Sequence, residues 1–322
     1  PRRVTRDTKP PPLPQRAGID PVAFTLPSDP GAALDIAGSA HPNQPVRTVA
    51  DFLVARFYPH NPRIITDRLE RGEIRTDNGR ILTGDSPYIP GLTIWYYREL
   101  PEEPQLPDDL PVLYEDEHVL AVDKPHFLPV IPSGRFLRET LLTRLRLRPQ
   151  LQHLNVADIT PIHRLDKDTA GVMLLSHNPA TRRDYQTMFQ NKTVCKTYQA
   201  IAPTRTDLVY PLNISSRMVR GEKFFTTLEV EGEPNAHTMI ELIENRGAFS
   251  LYRLTPHTGK KHQLRVHMMS LGMPLMNDAL YPVPSAAGDE DYGKPLKLLA
   301  KRIEFTDPIS GQARIFESSF EF

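Results

Sequence analysis

The run Pro161-Ile162-His163-Arg164-Leu165-Asp166-Lys167-Asp168-Thr169-Ala170-Gly171 sets one acid, Asp166, two residues after an arginine and two before a second acid. A carboxylate in a tight polar turn beside a guanidinium can attack an electrophilic carbon or take a proton. Residues 172 to 176 then form an apolar run of the length of a buried strand, so the turn is expected to lead into a rigid sheet, a common setting for catalytic groups. A plainer reading stands beside this one. An Asp or Thr can simply close a turn by hydrogen bonding to the backbone. On His163 to Asp166 alone, turn closure is the stronger reading.

The elements that must hold such a turn are unevenly spread. Residues 1 to 46 carry ten prolines and few large apolar side chains, which predicts an extended or partly disordered arm. From residue 47 to 100 a small module is expected. Val49, Phe52, Leu53 and Phe57 space a first amphipathic helix, Ile64, Ile65 and Leu69 a second one ending near Gly72, and residues 91 to 97 a strand. Residues 101 to 111 read as an acidic, Pro-broken linker, and 112 to 322 as the main domain. There, helix over 182 to 190, strand over 194 to 201, a strand pair over 238 to 243 and 249 to 254, helix over 260 to 271, and closing strands over 298 to 305 and 314 to 320 indicate an α+β fold on a mixed sheet.

Composition narrows the function classes. A chain of 322 residues can bury one substantial core and a small second module. The single cysteine, Cys195, excludes an intramolecular disulfide framework and a cysteine-based metal cluster. No apolar run approaches about 18 residues, and no leader opens the chain, so a soluble, cytoplasmic protein away from membranes is expected. Lys plus Arg equals Asp plus Glu at 39 each, so any nucleic-acid surface must come from local segregation of charge. Arg135, Arg138, Arg144, Arg146 and Arg148 crowd one stretch, which serves equally as a phosphate-facing surface or as the wet face of a helix on Leu137, Leu141, Leu142 and Leu145. A second basic cluster, residues 217 to 223, reads as a loop or hairpin turn.

The run around Asp166 closely resembles the HRLD-x-x-TSG signature of the RluA family of RNA pseudouridine synthases. Three other stretches agree in order and spacing. Residues 196 to 200 (KTYQA) resemble the family's K-x-Y-x-A strand, residues 258 to 267 (TGKKHQLRVH) its TGR-x-HQ-[IL]-R-x-H block, and residues 113 to 125 its first core strands and Lys-Pro turn. The resemblance spans roughly residues 111 to 318. It implies the pseudouridine synthase fold, a curved mixed sheet with a central cleft, preceded by a divergent small RNA-binding module. It departs at Ala170 for the usual Ser, Lys260 for Arg, Asn277 for the Gly of a Gly-Asp pair, and Leu299 for a late His.

The implied reaction breaks the bond from ribose C1′ to the uracil nitrogen, turns the base and rejoins it through C5. It needs no redox change and no energy donor, so no cofactor or metal is expected. Asp166 is then the nucleophile or base, and must begin ionised. Burial would oppose this, and a cation is the remedy. Arg265, matching the arginine of the third block, is the expected ion-pair partner. Tyr198 offers the detached uracil a stacking face and a hydroxyl that could act as acid or base for the final C5 proton. Arg164 is expected to fill the gap left by a flipped nucleotide, and His163 to shape the loop. Thr169 keeps its hydroxyl beside the acid. Lys260, Lys261, His262 and Gln263, near a helix start that Thr258 could cap, are expected to meet phosphate.

Other classes fit less well. A non-catalytic RNA-binding descendant would not need Asp166, Tyr198 and Arg265 together. A retaining glycosidase needs a second carboxylate, and Asp168 would point elsewhere. His257, His262 and His267, five apart on a helix, would spread around it and not converge on a metal. The chain is thus expected to act as a monomer on structured RNA, ribosomal by association of the preceding module with ribosomal targets, with transfer RNA as the alternative.

Overall fold

The computed structural model describes residues 10 to 35, 46 to 98, 103 to 106, 109 to 221, 226 to 285 and 291 to 322. The chain divides into two compact units, with the boundary between Glu102 and Glu103.

The first unit runs β1 (Val22–Thr25), α1 (Pro30–Asp35), α2 (Val49–Phe57), α3 (Arg63–Glu70), β2 (Arg75–Thr76) and β3 (Thr93–Tyr96). The two expected helices and the strand form where the spacing places them. Thr48 starts α2 in a capping box with Asp51, and Gly72 ends α3 at φ 65°, a conformation that costs glycine nothing. Phe52, Leu53, Ile65, Leu69, Ile74 and Ile94 bury together. The expected arm differs. Residues 22 to 25 pair antiparallel with β3, and Leu13 and Leu26 are buried. Prolines do not prevent this, because an edge strand and flanking loops need few backbone donors. Residues 1 to 9 and 36 to 45 of that arm lie outside the described residues.

The second unit follows as β4 (Val112–Glu115), β5 (Val119–Lys124), α4 (Leu141–Leu147), β6 (Thr160–Pro161), β7 (Ala170–Ser176), α5 (Arg182–Gln190), β8 (Cys195–Pro203), β9 (Leu212–Arg220), β10 (Thr227–Val230), β11 (Ala236–Asn245), β12 (Phe249–Pro256), α6 (Gln263–Ser270), β13 (Leu298–Thr306) and β14 (Ala313–Glu317). One mixed sheet orders them β10-β9-β11-β12-β8-β13-β7-β5-β4, with β14 on β13 and β6 on β7. Every residue of β5 and β7 is buried. Both faces are covered, which is why these strands read as continuous apolar runs. Leu120, Val122, Met173 and Leu175 face Leu141 and Leu145 of α4, whereas Val119, Ala121, Val172 and Leu174 face Tyr185 and Met188 of α5.

Three expectations are corrected here. Glu103 accepts backbone N–H groups of Leu137, Arg138 and Glu139, and Leu106 and Leu110 are buried in the core, so the described part of the supposed linker is docked onto this domain. Pro101, Glu102, Pro107 and Asp108 lie outside the described residues. Arg144 bonds Leu106 O at 2.7 Å and Glu139, Arg148 bonds Leu110 O, and Arg146 is buried on Ala157 O and Ile159 O. These three arginines brace loops and do not form a phosphate surface. Buried carbonyls of irregular backbone need donors, and a guanidinium supplies several at once. Finally, Arg217 to Arg220 belong to strand β9 and not to a turn; residues 222 to 225 lie outside the described residues.

Candidate active site

The Asp166 turn is fixed from beneath. Thr169 N donates to Asp166 O at 3.2 Å, closing it. Gly171, at φ 111°, follows at once, and a Cβ there would lie 2.3 Å from Ala300 O, so only glycine lets β7 run this close to β13. His163 shapes the approach: its Nε2 accepts from Leu174 N at 2.9 Å, its ring stacks on Phe189, and burial lowers its pKa to about 4, leaving it neutral.

Lys124 is the part of this foundation that carried no role in the sequence reading. Fully buried at the end of β5, its Nζ donates to Pro125 O, Leu128 O and Lys167 O at 2.9–3.0 Å, while His126 Nδ1 meets Asp168 O at 2.7 Å. Three donors meet three carbonyls, one of them inside the Asp166 turn. The available signal was a lysine ending an apolar run before a proline. Burial lowers the Lys124 pKa from 10.5 to about 7, opposed by Asp168 and Asp166. Between those values the folded protein binds fewer protons than the unfolded chain, so this group makes stability rise with pH across that window. Lys124→Met should therefore flatten the increase in urea midpoint from pH 7 to 9, and should lower turnover about tenfold or more by freeing the turn. A pH dependence of stability equal to that of the parent would remove Lys124 from this account.

Around Asp166, Arg164 NH2 lies 3.7 Å from Oδ1 and His262 Nε2 lies 3.9 Å from Oδ2. Arg164 is 61% exposed in its side chain, free in space to enter a substrate. Tyr198 lines the same cavity as Asp166, and burial, with Asp166 adding to it, raises its pKa well above the ordinary tyrosine value, so its hydroxyl stays protonated. Thr169 is buried on the same cavity, its Oγ1 without a hydrogen-bond partner among the described residues.

The expected Arg265–Asp166 ion pair is not formed. Arg265 is bound by Asp278 through Nε to Oδ2 at 2.8 Å and NH2 to Oδ1, both side chains 1% exposed, and lies over the Tyr281 ring at 5.3 Å. Asp166 contributes only to the field that raises the Arg265 pKa, behind Asp278. The shorter, two-point geometry wins, as bidentate Arg–carboxylate pairing does generally. Asp278 also accepts Leu280 N and Tyr281 N.

The expected phosphate contacts divide. Helix α6 starts at Gln263, with His262 in a left-handed conformation at φ 54° and no side-chain cap; Thr258 instead donates to Gln263 Oε1. Gln263 is consumed holding Lys260 N, His237 O and Thr238 Oγ1. His262 is buried, made neutral by a pKa of about 4 from burial, and bonded through Nδ1 to Tyr281 Oη at 2.9 Å. Both side chains are thus engaged within the protein. Lys260 is exposed and Lys261 half-buried, so these two remain available. His267 is tied to Ser216 and Thr238, away from His262.

A carboxylate on a braced turn, a protonated tyrosine and an exposed arginine thus face one cavity of about 770 Å³. A family described as RNA pseudouridylate synthase matches residues 118–270. The chain is 30% identical over 238 residues to an uncharacterized RNA pseudouridine synthase of Synechocystis, covering 72% of this chain and 78% of that one. It is 34% identical over 217 residues to ribosomal large subunit pseudouridine synthase D of Nitrosomonas europaea, covering 65% and 61%. The solved structure of human RNA pseudouridylate synthase domain containing 1 shares the fold at a TM-score of 0.54 and 22% identity, covering 68% of this chain and 86% of that one. With four ordered motifs around one braced carboxylate and relatives of this extent, the chain belongs to the RluA family of RNA pseudouridine synthases and is an isomerase of that class.

Proposed function

We propose that this enzyme isomerises specific uridines of ribosomal RNA, most simply in the large subunit, with Asp166 as nucleophile or base. The observation that carries the chemistry is the Asp166 carboxylate, held on a turn by Lys124 and Gly171 and opening on the cavity that Tyr198 lines. The uridine leaves its stack, Arg164 takes its place, and the base enters that cavity. Asp166 either attacks the substrate covalently or removes a ribose proton to start an elimination. The glycosidic bond breaks with its electron pair going to the uracil nitrogen, the uracil turns, and C5 bonds to C1′ as Asp166 is released or returns the ribose proton; C5 then loses its proton and the nitrogen takes one up, so no atom is gained or lost. Tyr198 stacks on the detached base and donates its hydroxyl to a uracil oxygen, keeping the ring in place. The likeness to a large-subunit enzyme supports the ribosomal target. Chemical mapping of pseudouridine in total RNA from cells with and without the protein tests it: sites lost from ribosomal RNA support the reading, and sites lost only from transfer RNA replace it.

Tyr198→Phe keeps the ring and loses the hydroxyl. Single-turnover measurements should find binding and base detachment near parental rates, with release of the C5 proton slowed about 10- to 100-fold. If both phases match the parent, stacking is the whole role of Tyr198.

A further inference from the structure

A second cavity, of about 910 Å³, adjoins the first across the catalytic turn. The two share His163, Arg164, Leu165, Asp166, His262 and Arg265, so the turn that carries the carboxylate is the wall between them. Beyond that wall the second cavity is lined by Phe127, Pro129, Val130, Ile131 and Leu296; Lys261 adds an ammonium, while Lys167 and Lys294 are paired with Asp168 and Asp291 of the same lining. Apolar walls with the Lys261 ammonium and the exposed Arg164 guanidinium at their edge suit a planar base whose phosphate passes outside. An RNA strand does not end at the target. A uridine whose base fills the first cavity must send its neighbour past Arg164, and the next space of sufficient size is the second cavity.

We infer that the second cavity receives the base of a nucleotide directly adjacent to the target uridine, unstacked together with it. The inference rests on the proposed function of Asp166. It makes the substrate a loop or single-stranded segment with two splayed nucleotides, not a lone uridine flipped from a duplex. Asn277 is the residue that reads the second base. It stands where the family pattern has glycine, and its φ of 61° is the reason glycine suits the position, while asparagine is among the few residues that tolerate it. Its side chain lines the second cavity, and Nδ2 uses one hydrogen on Pro295 O at 3.0 Å. The amide carries a second N–H and a carbonyl oxygen besides, enough for a base edge. Glycine there would offer the base nothing.

The test uses a transcript around the mapped target, with each nucleotide flanking the uridine replaced in turn by an abasic residue. The full-length parent, Ile131→Ser and Asn277→Gly are compared by kcat/KM. Ile131 is 52% exposed, so its replacement leaves the fold intact. One flanking position should prove sensitive, losing about tenfold or more when abasic. Ile131→Ser should lose about fivefold on the intact transcript and add no further loss on the one abasic at that position, as expected when both changes remove the same contact. Asn277→Gly should flatten the enzyme's preference among the four bases there. If neither flanking position is sensitive, or if the Ile131→Ser and abasic losses multiply, the subsite does not exist. Turnover of the intact transcript by the parent reports separately on the proposed function, so the two failures are distinguishable.

Discussion

Asp166→Asn is expected to leave a folded, RNA-binding protein whose pseudouridine formation falls by about 10⁴-fold or more. The change is isosteric, so the turn closed by Thr169 N and braced by Lys124 keeps its backbone contacts, none of which uses the Asp166 side chain. Chemistry alone is removed, because an amide neither attacks carbon nor accepts a proton at neutral pH. Among the described residues, the basic side chains within 4 Å of the carboxylate are Arg164 and His262, and neither supplies a replacement nucleophile: one is a guanidinium and the other, though neutral, lies 3.9 Å from the acid and is bonded to Tyr281. The readout is tritium release from C5-labelled uridine in total RNA of cells lacking the protein, with urea midpoint and RNA affinity measured alongside. Substantial release by a variant that folds and binds normally would sink the assignment of Asp166.

Arg265→Met should fail in a different way, by loss of structure first. With both side chains 1% exposed, removing the guanidinium leaves Asp278 as a buried charge without its partner, which costs about 3–5 kcal/mol. The damage then travels along named contacts. Asp278 holds the backbone of Leu280 and Tyr281, Tyr281 Oη meets His262 Nδ1 and Thr227 N, and His262 Nε2 faces Asp166. Turnover should fall about 100-fold at neutral pH even at temperatures where the variant is folded. The informative comparison is Arg265→Met with Asp278→Leu. That pair should regain most of the lost thermal stability, because no charge is left unpaired, yet should not regain turnover, because Tyr281 and His262 have lost their anchor. Recovery of both would reduce the ion pair to a structural role; unchanged stability in Arg265→Met alone would contradict the burial that the argument rests on.

What the sequence determined by itself was local. The apolar run of β7, the spacing of Phe52 and Leu53 and the glycine after α3 each act within a few residues, so pattern alone located those elements and placed Asp166 on a turn before a buried strand, whereas β5 was indicated by the resemblance. The resemblance supplied which side chains belong to one chemistry. Tertiary structure decided which of them touch. Arg265 and Asp278 are thirteen residues apart and closer in geometry than Arg265 and Asp166, so a partner assigned by motif gave way to the better-aligned acid. Arg144, Arg146 and Arg148 read as a charged surface because their partners are backbone carbonyls of Leu106, Ala157, Ile159 and Leu110, and a carbonyl has no letter in the sequence. The same reason hid Lys124, whose ammonium is satisfied wholly by carbonyls. Patterns of side-chain type record propensity and burial over short range, whereas the pairing of buried charges is settled by which groups the fold brings within hydrogen-bonding distance after water has been excluded.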